Sequence, residues 1–168
     1  MKALLIIAPE NFRDEELFHT KEELEAAGIK TSVASTKPKA RGMLGGTATA
    51  DLRLSDVKVE NFDAIIFVGG SGSSLYFNDP TALAIAKEAF TKKKVVGAIC
   101  IAPVILANAG VLKGKNATVW DGEFVEKIER GGAKFVNRPV VVDGNVVTAN
   151  GPQAAREFGR AIAKLLRG

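Results

Sequence analysis

Three short runs in this sequence are apolar without alternation: "KALLIIAP", "FDAIIFVGG" and "KKVVGAIC". A strand with one wet face alternates apolar and polar residues, whereas a strand covered on both faces does not. Each run is followed by a segment of helical period, and none approaches the ~20 apolar residues that a membrane span requires. Strands covered on both faces need helices on both faces, which a parallel sheet with crossover helices supplies. The expected architecture is therefore an α/β, three-layer flavodoxin-like sandwich with a mostly parallel central sheet. At 168 residues, 46% of them hydrophobic, the chain suits one domain over residues 1–168.

Local signals fill in the order. After a loop at residues 9–13, "DEELFHTKEELEAAG" reads as a helix with Asp14 as N-cap, a face of Leu17, Phe18 and Leu24, and Gly28 as its stop. "IKTSVAS" reads as a strand, and the polar, glycine-rich "TKPKARGMLGGT" as a loop. Pro80 sits where a first helical turn tolerates it, opening a helix over 80–92. "IAPVILANAG" and "DGEFVEKIERGG" are further helices, with the strand-like "NATVW" between them. Asp143, Gly144 and Asn145 supply a hairpin turn, and the last helix places Phe158, Ile162 and Leu165 on one face.

The net charge of +4 raises the question of nucleic acid. The basic residues cluster only at Lys37-Pro38-Lys39-Ala40-Arg41 and Lys92-Lys93-Lys94, without interleaved aromatics, so solvated loop lysines are the better account. One cysteine forms no internal disulfide, and one cysteine with one histidine builds no zinc site, so no metal or other cofactor is expected. Met1-Lys2-Ala3 leads directly into a strand, which predicts no cleavable leader and a cytoplasmic protein.

The lone cysteine, Cys100, falls where a buried strand meets a helix. In such sheets ligands bind beyond the carboxyl ends of strands. A thiol at a sharp strand-to-helix turn has the geometry of a nucleophile elbow, with Gly97 and Ala98 allowing close helix packing. The N–H groups of a following helix favour thiolate, which predicts an exposed, acidic Cys100. The plainer alternative is a small buried hydrophobe. Gly69-Gly70-Ser71-Gly72-Ser73-Ser74 matches neither nucleotide-binding glycine pattern and reads as a flexible turn whose N–H groups face the same crevice. Glu16 matters if the first helix aims its N-terminal turn at Cys100. His19, one helical turn later, is a candidate base against a plainer packing or interface reading. Trp120 reads as an aromatic anchor at a strand end.

"ALLIIAPENFRDEELFHTKEELEAAG", "FDAIIFVGGSGS", "VVGAICIAPVILANAGVLKGK" and "VVVDGNVVTANGPQAAREFGRAIAKLL" occur in the order of the DJ-1/PfpI family, which the chain resembles over essentially its whole length. The resemblance implies a homodimer or higher homo-oligomer, a nucleophile at Cys100, and a protonated glutamate at Glu16 that hydrogen-bonds its sulfur. It also implies an oxyanion hole formed by backbone at Gly69, Gly70 and Ile101. The protease-like branch carries histidine directly after the cysteine, where this chain has Ile101. The DJ-1-like branch carries one near the end of the next strand, where this chain has Trp120. "CIAP" and "NGPQAAREF" resemble the DJ-1-like branch more closely. The activity implied is a glyoxalase III or deglycase reaction on a small reactive carbonyl or glycated protein, methylglyoxal going to lactate without cofactor. The alternatives are an oxidative-stress sensor or chaperone using Cys100 oxidation, and a peptidase, which the missing imidazole counts against.

Overall fold

A computed structural model describes residues 1–168. Its elements begin with strands β1 (Lys2–Ile6) and β2 (Glu10–Phe12), helix α1 (Asp14–Ala26), and strands β3 (Lys30–Ser35), β4 (Lys39–Gly42), β5 (Thr47–Thr49), β6 (Leu52–Arg53) and β7 (Ala64–Phe67). Helix α2 (Pro80–Thr91), strand β8 (Val95–Ile99), helix α3 (Pro103–Asn108), strand β9 (Asn116–Ala117), helix α4 (Phe124–Arg130) and strand β10 (Lys134–Phe135) follow. The hairpin β11 (Val140–Asp143) and β12 (Val146–Ala149) and helix α5 (Ala155–Arg167) complete the chain.

Seven strands form the main sheet in the order β11-β12-β8-β7-β1-β3-β6. Every pair is parallel except the β11–β12 hairpin. The apolar runs do what their lack of alternation requires. Leu4, Ile6, Ile65 and Phe67 face a core shared with α2, α3 and α4. Ala3, Leu5, Ile7, Ala64 and Ile66 face the opposite core, shared with α1 and α5. Each fully buried Leu or Ile contributes roughly 1.5–3 kcal/mol by leaving water, so both layers hold the sheet. The chain is thus an α/β three-layer sandwich of flavodoxin-like type with a largely parallel sheet. No helix is long and apolar enough to cross a membrane.

The order of strands places the site. From β1 the chain moves outward through β3 and β6, then returns to β7 on the other side and proceeds through β8 to β12. The reversal lies between β1 and β7, the switch point at which open parallel sheets leave a crevice.

Several local expectations need correction. The stretch 37–47 is not simply a loop, because β4 pairs with β2 and β5 in a separate three-stranded sheet. The preceding loop likewise contains β2. Asp14 is not the N-cap of α1; Arg13 occupies that position without a side-chain cap. The Asp14 carboxylate is committed elsewhere, accepting hydrogen bonds from the N–H groups of Leu44 at 2.8 Å and Gly46 at 2.7 Å. Residues 71–76 form a 3-10 helix rather than a flexible turn. Helix α3 spans only six residues and begins at Pro103, not at Cys100. Gly97 accommodates α5 instead, since a Cβ there would lie 3.0 Å from Phe158 and 3.1 Å from Ile162. On α5 the buried face includes Leu166, and Leu165 is only half-buried.

Candidate active site

Three loops at the carboxyl ends of β1, β7 and β8 converge at the switch point. The first leads into α1 and delivers Glu16 on its first turn, the second delivers Gly69 and Gly70, and the third delivers Cys100. The backbone ties the first two together, with Arg13 N–H donating to Gly69 O at 2.9 Å.

Cys100 has φ +67, a left-handed conformation uncommon for a side-chain-bearing residue. Its neighbours impose it. The Cys100 N–H donates to Ala149 O at 2.9 Å, extending the parallel pairing of β8 with β12, while Cys100 O accepts from Trp120 N–H at 2.8 Å. The chain turns sharply between these anchors. Such a residue persists only where its surroundings over-determine it, and it aims the side chain rather than relaxing it.

Glu16 is fully buried. Its Oε1 accepts from Gly69 N–H at 3.0 Å, and its Oε2 has no nitrogen or oxygen partner. The carboxyl lies beside the Cys100 side chain, and each group perturbs the ionisation of the other. Burial raises its pKa to about 8, against the lowering effects of Cys100, the Gly69 N–H and the Arg13 charge. Glu16 is therefore a carboxylic acid at neutral pH, and an Oε2 without a nitrogen or oxygen donor suits the atom that carries the proton.

The acidic, exposed thiol expected from sequence is not what the structure supports. Cys100 is 8% exposed, and the short α3 does not begin beside it. Burial first, and then a charge on Glu16, push the thiol up to about 12, while the N–H groups of Gly70 and Ile101 pull it down. While Glu16 keeps its proton its charge is absent, and the opposition that remains is burial against two N–H donors.

The other expected residues divide in the same way. Gly70 and Ile101 present their N–H groups to the sulfur. Gly69 does not, because its N–H is occupied by Glu16, so it positions the carboxyl instead of serving an oxyanion. Trp120 is not at a strand end, because β9 stops at Ala117. It is 42% exposed, and with Arg13, Met43, Ser71, Phe124 and Pro152 it lines a cavity of about 250 Å³ over Cys100, Gly70 and Ile101. His19 is outside that cavity, in an adjoining recess with Glu15, Gln153 and Arg156 that shares Arg13 and Pro152 with it. Glu16 points inward and His19 outward, so their one-turn spacing does not make a pair. No cluster of three or more His, Cys, Asp or Glu side chains is arranged to hold a metal.

Arg13 and Met43 are absent from the sequence-derived site. Arg13 had a readable signal, standing between a strand end and the helix that carries Glu16. Its guanidinium is held by Glu15, with Nε donating to Oε1 at 2.8 Å and Nη2 to Oε2 at 3.1 Å. Met43 had none, because it reaches the cavity through the pairing of β4 with β2 and β5.

The model of the DJ-1/PfpI family matches residues 1–165. Protein MJ0967 of Methanocaldococcus jannaschii is 46% identical over 168 residues, covering 98% of this chain and 82% of the relative. Deglycase PfpI of Pyrococcus furiosus is 35% identical over 168 residues, covering 99% of this chain and 100% of the relative. The crystal structure of a ThiJ/PfpI domain protein from Brachyspira murdochii superposes with a TM-score of 0.96 at 38% identity, covering 99% of this chain and 96% of that one. The chain belongs to the DJ-1/PfpI family, and with isoleucine rather than histidine behind its cysteine it stands on the DJ-1-like side of that family.

Proposed function

We propose that this protein is a cysteine-dependent enzyme of glyoxalase III or deglycase type, acting on reactive carbonyls with Cys100 as nucleophile and Glu16 as proton carrier. The observation that carries this reading is the pairing of a sulfur on a strained turn with a fully buried, proton-holding carboxyl, beneath a cavity. The deglycase relative supports it.

The chemistry requires the pair to hold one proton, with thiolate and carboxylic acid as its reactive arrangement. The thiolate attacks the aldehyde carbon of an α-oxoaldehyde, and Glu16 gives its proton to the developing alkoxide, leaving a hemithioacetal and a carboxylate. That carboxylate removes the former aldehyde hydrogen as a proton. The electron pair forms an enediol whose second oxygen takes the proton. Return of a proton to the adjacent carbon yields a 2-hydroxy thioester, so one carbon is oxidised and its neighbour reduced with no outside electron acceptor. Water then cleaves the thioester, freeing the 2-hydroxy acid and restoring the pair. Gly70 and Ile101 N–H groups stabilise charge on sulfur at the start and end of the cycle.

A peptidase needs a group that protonates a departing amine, and the imidazole of His19 does not line the cavity over Cys100 but the recess adjoining it. The test is conversion of methylglyoxal to lactate by wild type, Cys100→Ser and Glu16→Gln. Saturable turnover by wild type alone is expected. Equal lactate formation by Cys100→Ser would overturn the reading.

A further inference from the structure

The cavity over Cys100 has a wall that does not belong to the main sheet. Met43 lies in the tight turn joining β4 to β5, and its side chain lines the cavity although it is 43% exposed. The turn closes on itself through Gly42 N–H donating to Gly46 O at 2.7 Å, and it is tied to the site loop by Met43 N–H donating to Phe12 O at 2.9 Å. Within it Gly45 N–H also donates to Gly42 O at 3.1 Å, and Asp14 adds a side-chain restraint. Both carboxylate oxygens of that residue accept turn N–H groups, from Leu44 and Gly46. Gly42 and Gly46 approach the carboxylate so closely that a Cβ on either would overlap it.

Asp14 is 8% exposed, so it is a buried carboxylate that gives its two oxygens to a loop distant in sequence. Two such charge-assisted bonds are strong ones. Because Asp14 and Glu16 share the first turn of α1, the same helical turn fixes the acid beneath the sulfur and the wall above it.

We infer that Asp14 is a positioning residue, which holds the 42–46 turn closed so that Met43 forms a size-selecting wall over Cys100. In use, this wall would grip the apolar part of an α-oxoaldehyde, an expectation that rests on the proposed activity. The gate itself does not, since Met43 lines the cavity over Cys100 whatever reaction takes place there.

Two independent readouts test it. Cys100 is the sole cysteine, so alkylation reports its access without ambiguity. In Asp14→Asn one oxygen acceptor becomes an N–H donor facing another donor, and the turn loosens. N-phenylmaleimide should then label Cys100 at least severalfold faster, while the small reagent iodoacetamide keeps its rate and its pH midpoint. Met43→Ala, which removes no hydrogen bond, should do the same without disturbing the fold, and Asp14→Asn on that background should add little. If the freed turn is closed about a tenth of the time, KM for methylglyoxal, small enough to sit inside the closed wall, rises about tenfold with kcat little changed. Equal change for both reagents, a shifted pH midpoint, or an undiminished Asp14→Asn effect on the Met43→Ala background would overturn the inference. Absence of turnover in wild type would count against the proposed activity alone, because the alkylation ratios would still decide the gate.

Discussion

Replacing Glu16 with glutamine removes a titrating proton and little else in volume. An ordinary carboxyl ionises near 4.5, whereas burial holds the proton on Glu16 up to about 8. Between those values the folded chain binds a proton that the unfolded chain has released, so stability falls as pH rises through the window and is level beyond it. At 1.36 kcal/mol per pKa unit, the loss is about 3 kcal/mol at pH 7 and approaches about 5 kcal/mol above pH 8. Glutamine carries no such cost. Its stability advantage over wild type should therefore be smallest near pH 4.5 and grow by about 3 kcal/mol by pH 7.

Urea unfolding of both proteins at a series of pH values from 4.5 to 8 reads this directly. The range ends below the free thiol's ~8.5, so Cys100 adds little, and all other ionisable groups cancel in the difference. The same variant should lose roughly 10²–10⁴-fold in turnover, the usual contribution of a positioned acid–base group. A more stable but less active enzyme is the expected combination. Parallel stability curves for the two proteins would refute the claim that Glu16 is buried with its proton.

Iodoacetamide labelling of Cys100 should rise with pH through about 8, as the pair loses its first proton, rather than two units below the free-thiol value; a plateau by pH 6.5 in stopped-time labelling would restore the acidic-thiol reading. Gly69→Ala should reduce turnover by at least tenfold, because its Cβ would lie 2.5 Å from Glu16 Oε1 and 2.6 Å from Cys100 Cβ; initial rates with methylglyoxal at matched folded concentrations check this. Ile101→His should raise peptide cleavage more than aldehyde consumption, because only the former needs a proton returned to an amine; equal gains in parallel assays would contradict that.

What the sequence disclosed follows from how far each signal reaches along the chain. Runs such as "ALLII" and "AIIF" announce strands buried on both faces because nothing else tolerates that pattern. The start of α2 is legible at Pro80 because a first-turn proline is a local signal. Cys100 is legible as a strand-end residue for the same local reason. Asp14 has the composition of a cap, yet its partners Leu44 and Gly46 are about thirty residues distant, and no nearby pattern reports them. The Gly69 N–H fails similarly, since its commitment to Glu16 depends on how α1 docks against β7. The sign of the thiol shift was also hidden. The sequence places a helix behind Cys100, but only the fold shows that α3 starts three residues later and that burial dominates.

The raised ionisation of this pair sets a condition on its chemistry. Attack by sulfur followed by proton movement between neighbouring carbons needs one proton shared between Cys100 and Glu16. With two protons the sulfur is a weak nucleophile, and with none there is no acid for the alkoxide. The first proton leaves near 8 and the second near 12, so the one-proton pair is the main form between those values. At pH 7 it is about one molecule in ten, by the same tenfold-per-unit relation. Its two tautomers then divide that population. The negative charge is favoured on sulfur by the Gly70 and Ile101 N–H groups and on oxygen by Gly69 N–H and Arg13. A bound carbonyl shifts this balance, because bond formation consumes thiolate. The architecture therefore trades resting nucleophilicity for a proton kept in place. Turnover limited by the sulfur–carbonyl step should rise nearly tenfold from pH 7 to pH 9 at subsaturating methylglyoxal. A pH-independent kcat/KM over that interval would mean that the two-proton pair reacts directly and that Glu16 serves only to hold the sulfur.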